Sequence, residues 1–376
     1  MRIAVNTRLL LKDKLEGIGW YTFETLSRIV AQHPEHEFYF LFDRDYSEEF
    51  VFSKNVKPII INPPTRHPIL WYIWFELKLP KVFKELKIDL FLSPDGFLSL
   101  ASKTPSIAVI HDINFEHHPK DLKFSHSKFY RRFFKKYAHK ASRIVTVSDY
   151  SKQDICKTYN IQPSKIDISL NGVNNSFHPI GLQKQIATRK RYSDGKDYFL
   201  FVGALHPRKN IKRLLTAFDQ FKSATNSSNK LLIVGAKMWW NNELKTCFDQ
   251  LTFKEDVIFT GRKSLEELNA LYSSALAFCF VPYFEGFGIP IIEAMKCGCP
   301  VITSNCTAMP EVAGEAALLV NPFEVNEITD AMIKLNSNNE LRAELSEKGQ
   351  IHSQKFSWNA TADNLWKSIE TVLQEC

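Results

Sequence analysis

The sequence predicts an α/β protein built from two doubly wound parallel sheets, and three observations predict it. Its 376 residues exceed what one core usually supports and fall short of three domains. Short apolar runs alternate with amphipathic stretches along the whole chain, the rhythm of a parallel sheet wrapped by helices. That rhythm lapses once, over a polar and basic stretch near the middle, and then restarts.

In the first half the apolar runs 3–5, 38–42, 58–61, 90–92, 106–110 and 144–147 read as strands between helical segments. After Asn171-Gly172-Val173 the pattern lapses, and 178–197 reads as a linker. The second half restarts with Tyr198-Phe199-Leu200-Phe201-Val202-Gly203 and continues through strands at 230–234, 257–260, 277–281, 300–303 and 317–320. From Trp358 to Leu373 the pattern becomes that of an amphipathic helix. The expected division is therefore a first domain over 1–177, a linker over 178–197 and a second domain over 198–357. Two such sheets predict a cleft between them, with ligands outside the carboxyl ends of the strands.

Composition narrows the function classes. With 44% hydrophobic and 24% charged residues the chain can bury a large core, which excludes disorder. The run Met1-Arg2-Ile3-Ala4-Val5-Asn6 begins as a strand rather than as a signal peptide. The longest apolar run, 69–75, stops at Glu76, far short of the roughly 20 residues of a membrane span. Seven cysteines, an odd number without framework spacing, fit a reducing compartment. Cys297-Gly298-Cys299 with Cys306 lacks a second half with zinc-like spacing, so no metal is expected there. These features predict a cytoplasmic protein. A net charge of +7 invites an anionic partner, whether nucleic acid, membrane surface or phosphorylated substrate.

Four motifs carry candidate chemistry. The first is Pro282-Tyr283-Phe284-Glu285-Gly286-Phe287-Gly288-Ile289-Pro290-Ile291-Ile292-Glu293, which reads strand, glycine loop, helix. Gly286 and Gly288 let backbone amides approach a ligand, and Pro290 suits a first helical turn, where its missing N–H costs nothing. Exposed amides with the positive end of a helix dipole favour a diphosphate. Glu285 can accept hydrogen bonds from sugar hydroxyls and Glu293 from a ribose; alternatively Glu285 is a solvated loop residue and Glu293 only complements the dipole.

The second motif, Gly203-Ala204-Leu205-His206-Pro207-Arg208-Lys209-Asn210, again follows a strand. Its adjacent cations can neutralise a diphosphate leaving group, Arg208 in bidentate fashion. The third, His111-Asp112, ends the strand at 106–110; His111 can orient a sugar hydroxyl and Asp112 can cap the next element. The fourth, Gly17-Ile18-Gly19, reads as a turn between the first strand and the first helix, short of a full dinucleotide fingerprint because position 22 is Thr22.

Two further stretches bear on partners. Asp43-Arg44-Asp45 has the spacing of a metal-binding Asp-x-Asp but follows a strand, where it reads as a solvated turn. From Ser127 to Arg143 there are seven Lys or Arg and no acid, with Tyr130, Phe133, Phe134, Tyr137 and Ala141 on one helical face. Such a helix either docks on anionic lipid or packs its apolar face on the sheet, with the aromatic stretch from Leu70 to Phe75 as a hydrophobic partner. No nucleic-acid motif accompanies the charge, so no nucleic-acid partner is expected.

Glu285 and Glu293, separated by seven residues that include Gly-Phe-Gly-Ile-Pro, resemble the Glu-x7-Glu signature of family 4 retaining glycosyltransferases. The run Glu293-Ala294-Met295 with Cys297-Gly298 and Pro300-Val301-Ile302 is similar to the family's, as is Pro310-Glu311-Val312-Ala313-Gly314. Ala204 departs from the arginine that many members carry after the glycine. Pro207-Arg208-Lys209-Asn210 instead resembles a mannosyltransferase-like subgroup, which implies that Arg208 compensates.

The resemblance spans nearly the whole chain and is weakest over 46–100. It implies the GT-B fold, with a terminal helix over 358–376 returning to the first domain. It also implies transfer of a hexose from a nucleoside-diphosphate sugar, GDP- or UDP-linked, to a glycan or lipid-linked acceptor, without cofactor or metal. Glu285, His111, Arg208 and Lys209 are then the expected catalytic residues. Glu293, Gly286, Phe287, Gly288, Ile289, Gly17, Gly19 and Asp112 are the expected donor-binding ones. Peripheral membrane contact through the Ser127 to Arg143 helix remains an open expectation. An inactive sugar-nucleotide-binding subunit, or an epimerase or phosphorylase of the same fold, are the alternatives.

Overall fold

The computed structural model describes residues 1–236 and 242–375. They form two compact units, Met1–Gly172 with Trp358–Cys376, and Val173–Ser357. The first holds seven strands: β1 (Arg2–Asn6), β2 (Glu37–Phe42), β3 (Val56–Ile60), β4 (Leu90–Ser93), β5 (Ser106–Val109), β6 (Arg143–Thr146) and β7 (Ile166–Ile168). They pair in parallel in the order β3-β2-β1-β4-β5-β6-β7. The order reverses between β1 and β4, the place where an open α/β sheet makes a crevice outside its carboxyl strand ends.

The second unit repeats the plan with β8 (Tyr198–Val202), β9 (Lys230–Val234), β10 (Val257–Gly261), β11 (Ala277–Phe280), β12 (Val301–Ser304) and β13 (Ala317–Val320). Their order, β10-β9-β8-β11-β12-β13, is again parallel and reverses between β8 and β11. Central strands such as Ala277–Phe280 are apolar and buried at every position, as expected of a sheet covered on both faces. The predicted fold class is the one observed.

One strand escaped the sequence. The edge strand β7 is three residues long and interrupts its apolar pair with Asp167, which forms a 2.5 Å ion pair with Arg143 on β6. The terminal helix Trp358–Gln374 belongs to the first unit. There Thr361 Oγ1 donates to the Leu170 carbonyl (2.7 Å), Ser169 Oγ to that of Thr361 (2.8 Å), and Trp366 stacks on His33 at 3.6 Å.

The expected linker over 178–197 is corrected: it contains the helix Leu182–Ser193, inside the second unit. Only Thr188 and Ser193 of this helix are buried, so it has no apolar stripe for a periodicity argument to find. It docks through polar groups. Arg189 Nε donates to the Ser274 carbonyl (3.0 Å) and the Tyr192 hydroxyl to Glu267 (2.8 Å), while His178 N donates to Asn269 Oδ1 (2.9 Å).

The basic helix runs Phe124–Lys140, and its buried residues are Ser127, Phe129, Phe134, Tyr137 and Ala138. The apolar face is thus centred one position away from the expected stripe: Tyr130 and Phe133 are only partly buried, and Ala141 lies past the helix end. Trp71 packs edge-on against Phe129 at 5.1 Å and lies 5.5 Å from Tyr130, so the aromatic stretch from Leu70 to Phe75 is its hydrophobic partner. Packing claims this face. The cations Lys128, Arg131, Arg132, Lys135 and Lys136 remain exposed. Among the described residues no helix is long and apolar enough to cross a membrane.

Asp43 is also corrected, for it is not a solvated turn residue but fully buried. Its carboxylate pairs with Arg44 (2.6 Å) and accepts from Thr65 N (2.6 Å) and Thr65 Oγ1 (2.5 Å). Burial alone would raise its pKa; the Arg44 and Thr65 donors outweigh that and lower it.

Candidate active site

The order reversal between β8 and β11 positions the strongest site. Past β8 the chain forms a single 3-10 turn, Pro207–Lys209, entered through His206, whose side chain accepts from Arg208 N (3.3 Å). Asn210 leaves it with φ +61°, a left-handed conformation that asparagine tolerates. Its side-chain amide donates to the carbonyls of Val281 (3.0 Å) and Pro322 (2.6 Å). Tyr283 N donates to the Arg208 carbonyl at 3.0 Å. The loops after β8 and β11 are therefore strapped together through backbone and a buried asparagine.

That strapping brings three predicted residues to one point. Lys209 Nζ is in direct ion-pair contact with Glu285 Oε1, and Arg208 Nε is 3.4 Å from the same oxygen. Lys209 also lies over the Phe280 ring, 4.7 Å from its centroid. Glu285 is buried rather than solvated, which removes the bland loop reading. A carboxylate out of water needs its charge matched, and two cations converging on one oxygen do so.

The glycine cradle follows. Gly288 caps the helix Ile289–Lys296 with φ +99°, and a Cβ there would come within 3.0 Å of Met309 Cε, so only glycine fits without strain. Pro290 stands in the first turn. Phe287 turns its ring inward against Phe356 at 5.7 Å, so it can offer a ligand backbone only. Glu293 is half-buried and accepts from the Tyr272 hydroxyl at 3.0 Å. Burial pushes its pKa up to about 7, against the smaller lowering effect of Tyr272. A carboxyl poised there changes its charge near neutrality.

In the first unit, His111 and Asp112 follow β5. His111 Nε2 hydrogen-bonds to the Pro94 carbonyl (2.9 Å), and the ring meets Tyr21 edge-on at 4.9 Å. Burial lowers its pKa, which favours the neutral ring. Asp112 Oδ1 accepts from Asn114 N (3.0 Å) and so holds the start of the helix Asn114–His117.

Gly17 and Gly19 do not form the expected turn before the first helix; they are the first and third residues of the helix Gly17–Gln32. Gly19 is there for packing, since a Cβ would come within 2.9 Å of the Leu9 carbonyl oxygen. Gly17 has nothing within 4 Å of such a Cβ. Among the described residues no group of three or more His, Cys, Asp or Glu is placed to hold a metal, and Cys297 and Cys299 are buried.

Sequence reasoning missed a buried polar cluster in the first unit. Arg8 and Asp95, at the reversal between β1 and β4, form an ion pair of 2.7 Å with both side chains almost fully buried. Arg8 is an isolated cation after a strand and Asp95 sits in an unremarkable Ser-Pro-Asp-Gly turn. Their separation of 87 residues left only the strand-end rule as a signal.

Comparison with known proteins bears on the family and the fold. A family model described as Glycosyltransferase Family 4 matches residues 15–177, and one described as Glycosyl transferases group 1 matches 183–352. The O-antigen chain mannosyltransferase B of Escherichia coli is 26% identical over 94% of this chain and 96% of its own. The O-antigen chain mannosyltransferase RfbU of Salmonella typhimurium is 29% identical over 78% of this chain and 82% of its own. Among solved structures, Anabaena HepE in complex with UDP and glucose superposes with a TM-score of 0.76 at 16% identity, covering 98% of this chain and 99% of that one. With both halves matched in order and both parallel sheets in place, this chain belongs to the family 4, group 1 glycosyltransferases of GT-B fold.

Proposed function

We propose that the protein transfers a hexose, of mannose type, from a GDP- or UDP-linked donor to a glycan or lipid-linked acceptor in surface polysaccharide synthesis, with retention and without a metal. The convergence of Arg208, Lys209 and Glu285 carries this reading. The mannosyl preference follows the names of its relatives and the Pro-Arg-Lys-Asn run. HepE, solved with UDP and glucose, supports a nucleotide-sugar donor and leaves the base to experiment.

The donor diphosphate would replace Glu285 as the partner of Arg208 and Lys209, joined by amides of Gly286, Phe287, Gly288 and Ile289. Freed from its cations, Glu285 accepts hydroxyls of the transferred sugar, and Glu293 holds the ribose. Two fixed cations supply the charge that a metal ion supplies elsewhere. Each well-placed group contributes roughly 3–4 kcal/mol to stabilising the departing diphosphate. For front-face attack the departing phosphate oxygen takes the acceptor proton, so no protein base is required. His111 orients a sugar hydroxyl, Asp112 fixes the turn that carries His111, and Gly17 and Gly19 start a helix able to face phosphate.

Incubating the enzyme with GDP- and UDP-hexoses and following thermal stability, then testing glycan acceptors with the stabilising donor, tests this reading. Stabilisation by no nucleoside-diphosphate sugar would sink it. Membrane contact rests on Phe124, which is 82% exposed, beside the exposed Lys123, Lys128 and Arg131. Pelleting with phosphatidylserine vesicles is expected and should weaken about fivefold for each of these cations replaced by Gln. Equal pelleting with neutral vesicles would remove the electrostatic part of that contact.

A further inference from the structure

His111 is bonded to a carbonyl, and a carbonyl can only accept. The ring proton must therefore sit on Nε2, which leaves the lone pair on Nδ1 whenever the ring is neutral. Which nitrogen presents the lone pair depends on where the Pro94 carbonyl points. Pro94 lies between Ser93, the last residue of β4, and Asp95.

Asp95 is held more completely than any turn needs. Its Oδ1 accepts from Asn6 Nδ2 (2.8 Å), Ser93 Oγ (3.1 Å) and Phe97 N (3.3 Å), and its Oδ2 from Arg8 Nε (2.7 Å). Arg8 is itself fixed. It donates to Thr65 Oγ1 at 3.2 Å, and its guanidinium lies over the rings of Phe97 (4.3 Å) and Phe75 (5.3 Å). A buried ion pair is seldom a net source of stability, because desolvation offsets the attraction. Here it sits at the β1/β4 reversal, one residue from the carbonyl that His111 touches.

We propose that Asp95 and Arg8 are positioning residues that fix the Pro94 carbonyl and thereby hold His111 as the Nε2–H tautomer, with Nδ1 presented as an acceptor for a sugar hydroxyl. The inference rests on the assignment of His111 to the transfer site, but the tautomer can be measured without any transfer. Neither residue touches substrate in this scheme. Both act through His111, as outer partners commonly do when they orient a functional imidazole.

The experiment is long-range 1H–15N correlation of the histidine rings at pH 7.5 in the full chain, with His111→Gln identifying the signal. The native protein should show the Nε2–H pattern. Asp95→Ala should add the Nδ1–H pattern at His111 and reduce kcat for transfer by on the order of tenfold to a hundredfold, the cost of small misplacement, with donor KM nearly unchanged. Should Asp95→Ala fail to fold, Asp95→Asn and Arg8→Lys keep the shape and weaken the pair; both should shift the tautomer partway. An Nε2–H pattern that persists in all folded variants, or an Nδ1–H pattern in the native protein, overturns the proposal. A tautomer shift together with full activity of His111→Gln would instead keep the positioning and remove His111 from the reaction.

Discussion

Each unit places an arginine–carboxylate contact where its strand order reverses, yet the two contacts are built differently. In the first unit Asp95 receives four donors and Arg8 lies over two adjoining aromatic rings, with 2.7 Å between the charges. In the second, Lys209 and Arg208 share one oxygen of Glu285, Arg208 at a looser 3.4 Å. A saturated pair leaves nothing to exchange and behaves as scaffold. Two cations crowded on a single carboxylate oxygen can take an anionic ligand in its place. Equivalent positions in two copies of one plan thus hold a saturated pair in one case and, in the function proposed above, an exchangeable one in the other.

Substitutions that break the second contact should have the largest effects. Arg208→Ala, Lys209→Ala and Glu285→Ala are each expected to lower transfer by on the order of a hundredfold or more, measured as kcat/KM with the preferred donor. Near-normal turnover of all three would contradict the site. Asp95→Ala should be milder and appear mainly in kcat, which separates a scaffold from a binding group.

Glu293 sharpens the comparison through pH. With its pKa raised to about 7, it must be ionised to hold ribose hydroxyls well, so donor KM should rise as pH falls below about 7. The sign for stability is opposite. A carboxyl whose folded pKa lies above its unfolded value favours folding in its protonated form, and that contribution is lost as pH rises from its ordinary value near 4.5 to about 7. Glu293→Gln should accordingly melt higher than the native protein at pH 8, with little difference at pH 4.5, while binding donor more weakly. A lower melting temperature for the variant at pH 8 would mean that its carboxylate is not desolvated. The smallest effect is expected from Phe124→Ser, which should leave melting unchanged, because the ring is exposed, and alter only vesicle pelleting.

Much of this was legible in order along the chain. Alternating apolar runs gave both sheets, since a strand covered on both faces must be apolar throughout, and the Glu-x7-Glu run located the loop and helix after β11. The helix Leu182–Ser193 was not legible because it docks by polar contacts. Nor was the role of Gly19, whose need arises from the distant carbonyl of Leu9.

What the sequence by itself determined is local: strand and helix periods, the glycines and proline that shape the loop and helix start after β11, and the charges available beside it. Only the tertiary structure decided which charges meet. Glu285 is buried against Arg208 and Lys209, 76 or more positions earlier in the chain, and Asp95 against Arg8. Ionic pairing of that kind depends on distance and desolvation, and neither is written in the spacing of residues along a chain.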